Sequence, residues 1–164
     1  MVDGAVNLIF PEALRQELVA HAREGDPEEV CGILAGRDRR VERVFRVSNT
    51  ADAVGVERGV FRDRETGVAS PGRRAVHYYM DPKDQLRVYN EIDDLGLDVL
   101  GYYHSHTHTE ARPSPTDVRL ATDTTPYYVL VSLQDSGTPA VRAWRITKAD
   151  PMDETGEVVE VPLD

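Results

Sequence analysis

The sequence predicts a mixed α/β domain, α+β in character, with a mixed sheet of about six strands flanked by helices. Three observations predict it. Two segments carry apolar residues at helical spacing, and a third opens with helix-start residues. Several short segments are either unbroken apolar runs or strict alternations, as strands are. The two kinds of segment interleave along 164 residues, the length of roughly one domain.

The first helix follows Phe10-Pro11. Leu14, Leu18, Val19 and Ala22 recur at i, i+4, i+5 and i+8, Pro11 suits a first-turn position, and Gly25-Asp26-Pro27 stops the pattern. VCGILAG, 30–36, is a short apolar run in which Gly32 and Gly36 suggest close backbone approach or a strand end. RVERVFRVSNT, 40–50, alternates strictly and reads as a strand with one partly wetted face. Residues 51–76 break the pattern. They hold Gly55, Gly59, Gly67, Pro71 and Gly72, show little periodicity, and carry Arg58, Arg62, Arg64, Arg73 and Arg74 in a chain of net charge −10. A loop of this length is functional or disordered as a rule, and it is too short to bury a core. It is read as a flexible insertion, either a solvated disordered segment or one whose arginines capture an acidic partner or a C-terminal carboxylate.

Order resumes with AVHYYMD, 75–81, as a strand. A helix then runs from Pro82 to Asp94, with Leu86, Tyr89 and Ile92 at spacing three and Gly96 as its C-terminal cap. DVLGYYHSH, 98–106, reads as a strand that enters the core and ends in polar residues. YYVLVSL, 127–133, and AVRAWRIT, 140–147, are two further strands joined through Asp135-Ser136-Gly137. Trp144, Tyr127 and Tyr128 read as core or strand-face aromatics. The tail from Lys148 to Asp164 has six acids against one lysine and a further candidate strand at 158–161. The whole is expected to be a single domain, 1–164, with the insertion at 51–76.

Composition excludes several functions. With 40% hydrophobic and 29% charged residues, the chain is too apolar to be wholly disordered. A net charge of −10 and a pI near 4.9 argue against nucleic acid or an anionic membrane as the main partner. No apolar run approaches the roughly 20 residues of a membrane helix. The start, MVDGAVNLIFPE, lacks the basic region of a secretory signal. A lone Cys31 cannot form an internal disulfide, so a reducing, cytoplasmic setting is expected.

The stretch GYYHSHTHTEARPSPTDVRLA, 101–121, carries the chemistry. His104 and His106 alternate at the end of a strand, so their imidazoles share a face. Asp117 adds a carboxylate. Two nitrogens and one oxygen suit Zn²⁺, with a fourth position left for water. Each candidate has a plainer reading. Two histidines can be polar residues in an exposed turn. Ser114-Pro115-Thr116-Asp117 is close to an ideal helix start, with Ser as N-cap and an acid at the third position. His108 continues the spacing, and joins the site only if the strand runs on past Thr107. Cys31, inside an apolar run, reads as a buried thiol more than as a nucleophile.

The pattern HSH, ten residues and Asp, closing in SPTD, resembles the JAMM (MPN-plus) zinc metallopeptidases. PEEVCGILAG resembles that family's other motif, a glutamate two residues before Cys-Gly ahead of an apolar strand. The longer string YHSHT-x-TEA-x-PS-x-TD-x-x-LAT is similar to one branch, the actinobacterial Mec-type hydrolases that act on the CysO sulfur carrier. The similarity runs over about 12–50 and 77–147; the insertion and His108 depart from it. The resemblance implies His104, His106 and Asp117 as ligands of one Zn²⁺. It implies Glu29 as general acid/base, where the residues alone do not separate Glu29 from Glu28. Ser114 becomes the residue that steadies the oxyanion. The implied substrate is a ubiquitin-like sulfur-carrier protein with a Gly-Gly C-terminal tail, from which amide hydrolysis releases cysteine, a step of cysteine biosynthesis. Trimming of a carrier precursor, cleavage of another ubiquitin-like conjugate, a metal-free MPN scaffold and a Cys31-based hydrolase are the competing readings.

Overall fold

The computed structural model describes residues 6–51 and 77–164. The insertion expected at 51–76 therefore lies, apart from Ala51, outside the described residues. The elements are α1 (Glu12–Gly25), β1 (Cys31–Arg37), β2 (Arg40–Val47), α2 (Pro82–Asp94), β3 (Asp98–His106), α3 (Pro115–Leu120), β4 (Tyr127–Ser132), β5 (Ala140–Thr147) and β6 (Glu157–Val161). The strands form one sheet in the order β2-β1-β3-β4-β5-β6. Among the described strands only the β3–β4 pair is parallel, and α3 lies in the crossover that a parallel pair requires.

Helices cover both faces, which explains why the central strands are unbroken apolar runs. On one face Leu18, Val19 and Ala22 of α1 pack in a core with Leu34, Tyr103, Val129 and Val131. On the other, Val88 and Ile92 of α2 pack with Cys31, Ile33 and Ala35. Strand alternation thus splits β1 between two cores. Gly32 has no room for a side chain, since a Cβ there would fall on the Tyr103 ring and the Phe45 carbonyl. Gly96 has φ +68°, the left-handed conformation that closes α2.

Two expectations are corrected. Residues 77–81 form no strand. Only Met80 makes a bridge, to Asn49. The segment is held to 48–50: Thr50 N donates to the Tyr79 carbonyl at 2.8 Å and Asp81 N to the Ser48 carbonyl at 2.9 Å, while Asn49 Oδ1 accepts from Tyr79 N at 3.0 Å and its Nδ2 donates to the His77 carbonyl at 3.1 Å. The sixth strand comes instead from the acidic tail, as β6. Pro11 is the N-cap of α1, one place before the first helical residue. Among the described residues no helix is long and apolar enough to cross a membrane.

Candidate metal centre and active site

The site is assembled where β1 and β3 run side by side. His104 pairs with Cys31 across the ladder. At its end the two strands are tied by Val30 N donating to Ser105 Oγ at 2.9 Å and Ser105 N donating to the Val30 carbonyl at 3.0 Å. That tie delivers Glu29, the residue before Val30, beside the histidines. Glu29 is buried, and the Asn49 amide fixes its carbonyl at 2.8 Å. Glu29, His104 and His106 each bring a ligand atom within 4.8 Å of the others. Glu28 is only partly buried and is not in this group.

Asp117 arrives from α3. The Ser114 hydroxyl accepts from Asp117 N at 3.1 Å, while Asp117 Oδ2 accepts from Ser114 N at 2.8 Å, a reciprocal capping box. The same Oδ2 lies 3.0 Å from His104 Nε2 and 3.1 Å from His106 Nε2. The two Nε2 atoms are 3.2 Å apart. Capping and convergence on the histidines therefore share one carboxylate oxygen.

The donor set fits a divalent cation. His106 Nδ1 lies 2.8 Å from the Glu110 carbonyl, which can only accept, so Nδ1 carries a proton, and in the neutral ring the Nε2 lone pair faces inward. In that neutral form the lone pair meets the Asp117 carboxylate, and a single proton on His104 Nε2 cannot satisfy both. A cation bound between the three atoms would. Burial lowers the His104 pKa despite Asp117. Burial also works against charge on His106, but Asp117 and the Glu110 carbonyl outweigh it and raise its pKa. Asp117 is held well below the usual carboxylate range: burial opposes ionisation, and the two imidazoles and the Ser114 N–H overcome it. Glu29 is pushed up to about 8, chiefly by burial, with His106 opposing and Asp117 adding.

His108 does not join. The strand stops at His106, and His108 is exposed in the bend that follows. Cys31 is fully buried, its thiol donates to the Val47 carbonyl at 3.4 Å, and burial pushes its pKa far up, so it is a structural thiol and no nucleophile. Tyr127, Tyr128 and Trp144 are buried, and Trp144 Nε1 donates to the Ala111 carbonyl at 2.8 Å. Two contributors escaped the sequence reading. Tyr78 stacks on His104 with ring centroids 4.2 Å apart, and Glu110 acts through its backbone. No residue type or spacing signals either, because one lies in an aperiodic segment and the other uses an atom every residue has.

A mixed six-stranded sheet that gathers two imidazoles and two carboxylates at one end is the architecture of a hydrolase with a metal-type centre. The chain belongs to the prokaryotic homologs of the JAB domain, whose sequence profile matches residues 11–147. It is 35% identical over 155 residues to the CysO-cysteine peptidase of Mycobacterium tuberculosis, covering 93% of this chain and 92% of that one. It is 32% identical over 136 residues to the desampylase of Haloferax volcanii, covering 79% and 82%. The probable TtuB-protein conjugate cleaving protease of Thermus thermophilus is 32% identical over 137 residues, covering 84% and 74%. Among solved structures, a Desulfitobacterium hafniense protein superposes with a TM-score of 0.68 at 30% identity, covering 96% and 92%. A JAB1/MPN domain protein from Archaeoglobus fulgidus shares the fold, with a TM-score of 0.55 at 16% identity and coverage of 98% and 100%.

Proposed function

We propose that this protein is a zinc-dependent peptidase that cleaves the amide bond at the C-terminus of a ubiquitin-like sulfur-carrier protein, with release of cysteine. The observation that carries the reading is the convergence of His104 Nε2, His106 Nε2 and Asp117 Oδ2 within 3.2 Å, beside a buried Glu29. The CysO-cysteine peptidase, similar over nearly its whole length, supports the substrate. His104, His106 and Asp117 would hold the zinc, two nitrogens and an oxygen being a donor set that suits it. Zinc, when bound, supplies the Lewis acidity that activates water and polarises a carbonyl at neutral pH.

The chain's own residues do the rest. Glu29, no ligand in this reading, takes a proton from the attacking water and gives it to the leaving amine. Its buried setting favours a carboxyl that can hold a proton near neutral pH. The Ser114 hydroxyl uses a lone pair for the Asp117 N–H and keeps its own proton to donate to the developing oxyanion. The Glu110 carbonyl locks the His106 tautomer. No covalent intermediate is required, consistent with a buried Cys31.

The desampylase and the conjugate-cleaving protease favour a second reading, in which the leaving amine belongs to a conjugated protein. The test is incubation of the zinc-loaded protein with the host's ubiquitin-like carriers and their conjugates, followed by intact-mass measurement. Loss of one cysteinyl residue from a carrier supports the first reading, and release of an intact carrier from a conjugate the second. No mass change with any carrier, at full zinc occupancy, rejects both.

A further inference from the structure

A cavity of about 470 Å³ opens beside the candidate site, and nothing above gives it a role. One ring is common to the cavity wall and the site. Tyr78 lines the cavity and stacks on His104 at 4.2 Å. Tyr102, also in its wall, stands two residues before His104 on β3 and so shares the face that carries both histidines. On the far side the wall is Leu120 to Asp123, the chain that leaves α3 after Asp117. A substrate held with its scissile bond at the histidines has this space within one or two residues' reach, since a residue spans about 3.5 Å.

The wall has a definite chemistry. Tyr78, Tyr79, Tyr89, Tyr102 and Tyr128 make the wall predominantly aromatic. Gln85 Nε2 donates to Tyr89 Oη at 2.8 Å, and Tyr89 and Tyr102 share a hydrogen bond of 2.6 Å, so the phenols are held in place by one another. The only charged residue of the described wall is Asp123; its side chain is exposed, with Oδ1 accepting from Thr125 N at 3.0 Å and Thr125 Oγ1 at 2.7 Å and Oδ2 left to face a ligand. Aromatic faces carry negative potential and attract ammonium and guanidinium groups, and their apolar area covers an alkyl stem. A carboxylate would meet the same potential with the wrong sign.

We propose that this cavity is a specificity pocket for a basic side chain, lysine or arginine, carried by the substrate within two residues of the scissile bond. The proposal rests on the peptidase reading for its place in the reaction and on the cavity alone for its ligand. The stem lies against Tyr89, Tyr102 and Tyr128, and the charged end reaches Asp123. Acidic side chains are rejected.

Two synthetic peptide series test it, each with a Gly-Gly segment ahead of the scissile bond. In one the variable residue is the first after the bond; in the other it is the second. The variable residue is lysine, leucine or glutamate. With zinc-loaded protein the lysine peptide of at least one series should exceed the glutamate peptide in kcat/KM by about tenfold or more, an advantage carried mainly by KM. Asp123→Asn should cut the lysine advantage over leucine several-fold. Tyr89→Leu should weaken the lysine and leucine peptides together, and circular dichroism will show whether it folds. Calorimetry with the same peptides on metal-free protein reads binding without chemistry, and lysine should again lead. Equal affinity and equal turnover for lysine and glutamate in both series overturn the pocket. Cleavage of no peptide, with lysine-selective binding retained and lost in Asp123→Asn, overturns the peptidase reading and leaves the pocket standing.

Discussion

At the scale of single residues, the site depends on where four side chains end. Removing a ligand should remove the metal: His104→Ala or Asp117→Ala, loaded with zinc and dialysed, should lose most of its metal by elemental analysis. Wild-type protein that stays metal-free after loading and is active in chelator ends the metalloenzyme reading. Glu29→Gln keeps the shape and loses the proton acceptor. It should retain about one zinc per chain and turn over at least about 100-fold more slowly, the lower end for loss of a general base. Activity persisting in Glu29→Gln but abolished in Glu28→Gln would shift the acid by one position. Part of this was legible in the chain. HSH on a strand fixed two imidazoles to one face, because alternate side chains share a side. The choice of Glu29 over Glu28 was not legible from residue type, since burial separates them and burial is set by β3 lying alongside. His108 failed for a similar reason: its spacing was right, but the strand ended two residues earlier.

At the scale of elements, α3 does two jobs with one turn. Ser114 caps it, and the cap holds Asp117 against the histidines. Ser114→Ala should cost about 1 kcal/mol of stability in urea unfolding, as lost N-caps do. Its turnover should fall roughly 100-fold, as when one oxyanion donor is lost. Asp substituted for Ser114 restores a cap without the hydroxyl, so stability should recover and turnover should not. Full activity in both variants would remove Ser114 from the reaction. On the opposite face α1 carries a pH-dependent contact. His21 Nδ1 lies 2.8 Å from Tyr103 Oη, and its pKa is lowered to about 4 by burial, with Arg46 adding and Glu24 opposing. Below the ordinary value near 6.5 the unfolded chain takes up a proton that the folded one refuses. The stability from neutral His21 is thus complete above about pH 6.5 and is lost as pH falls towards 4. His21→Gln should flatten the urea midpoint against pH across that window; an unchanged slope would contradict it.

At the scale of the whole molecule, one sheet separates two cores and gathers the site at the adjoining ends of β1 and β3. The arginines at 58, 62, 64, 73 and 74 are outside the described residues, and their role is tested from sequence alone. Replacing all five by Gln should raise KM for a carrier substrate several-fold and flatten its salt dependence, with kcat little changed and melting shifted by no more than a few degrees. KM and salt slope equal to wild type would make the segment dispensable for docking. The sequence by itself determined the helices, the strands of the central sheet and the residue types of the site. Those follow from local periodicity and from motifs whose members are close in the chain, such as the cap at Ser114. Only the tertiary structure decided that 77–81 is held by the backbone of 48–50 and the Asn49 side chain, and that the acidic tail supplies β6. It alone placed Tyr78 over His104 and closed a tyrosine-walled cavity beside it. The physical reason is common to all of these. Each depends on a partner distant in sequence, and a residue's neighbours across a sheet leave no trace in its own periodicity.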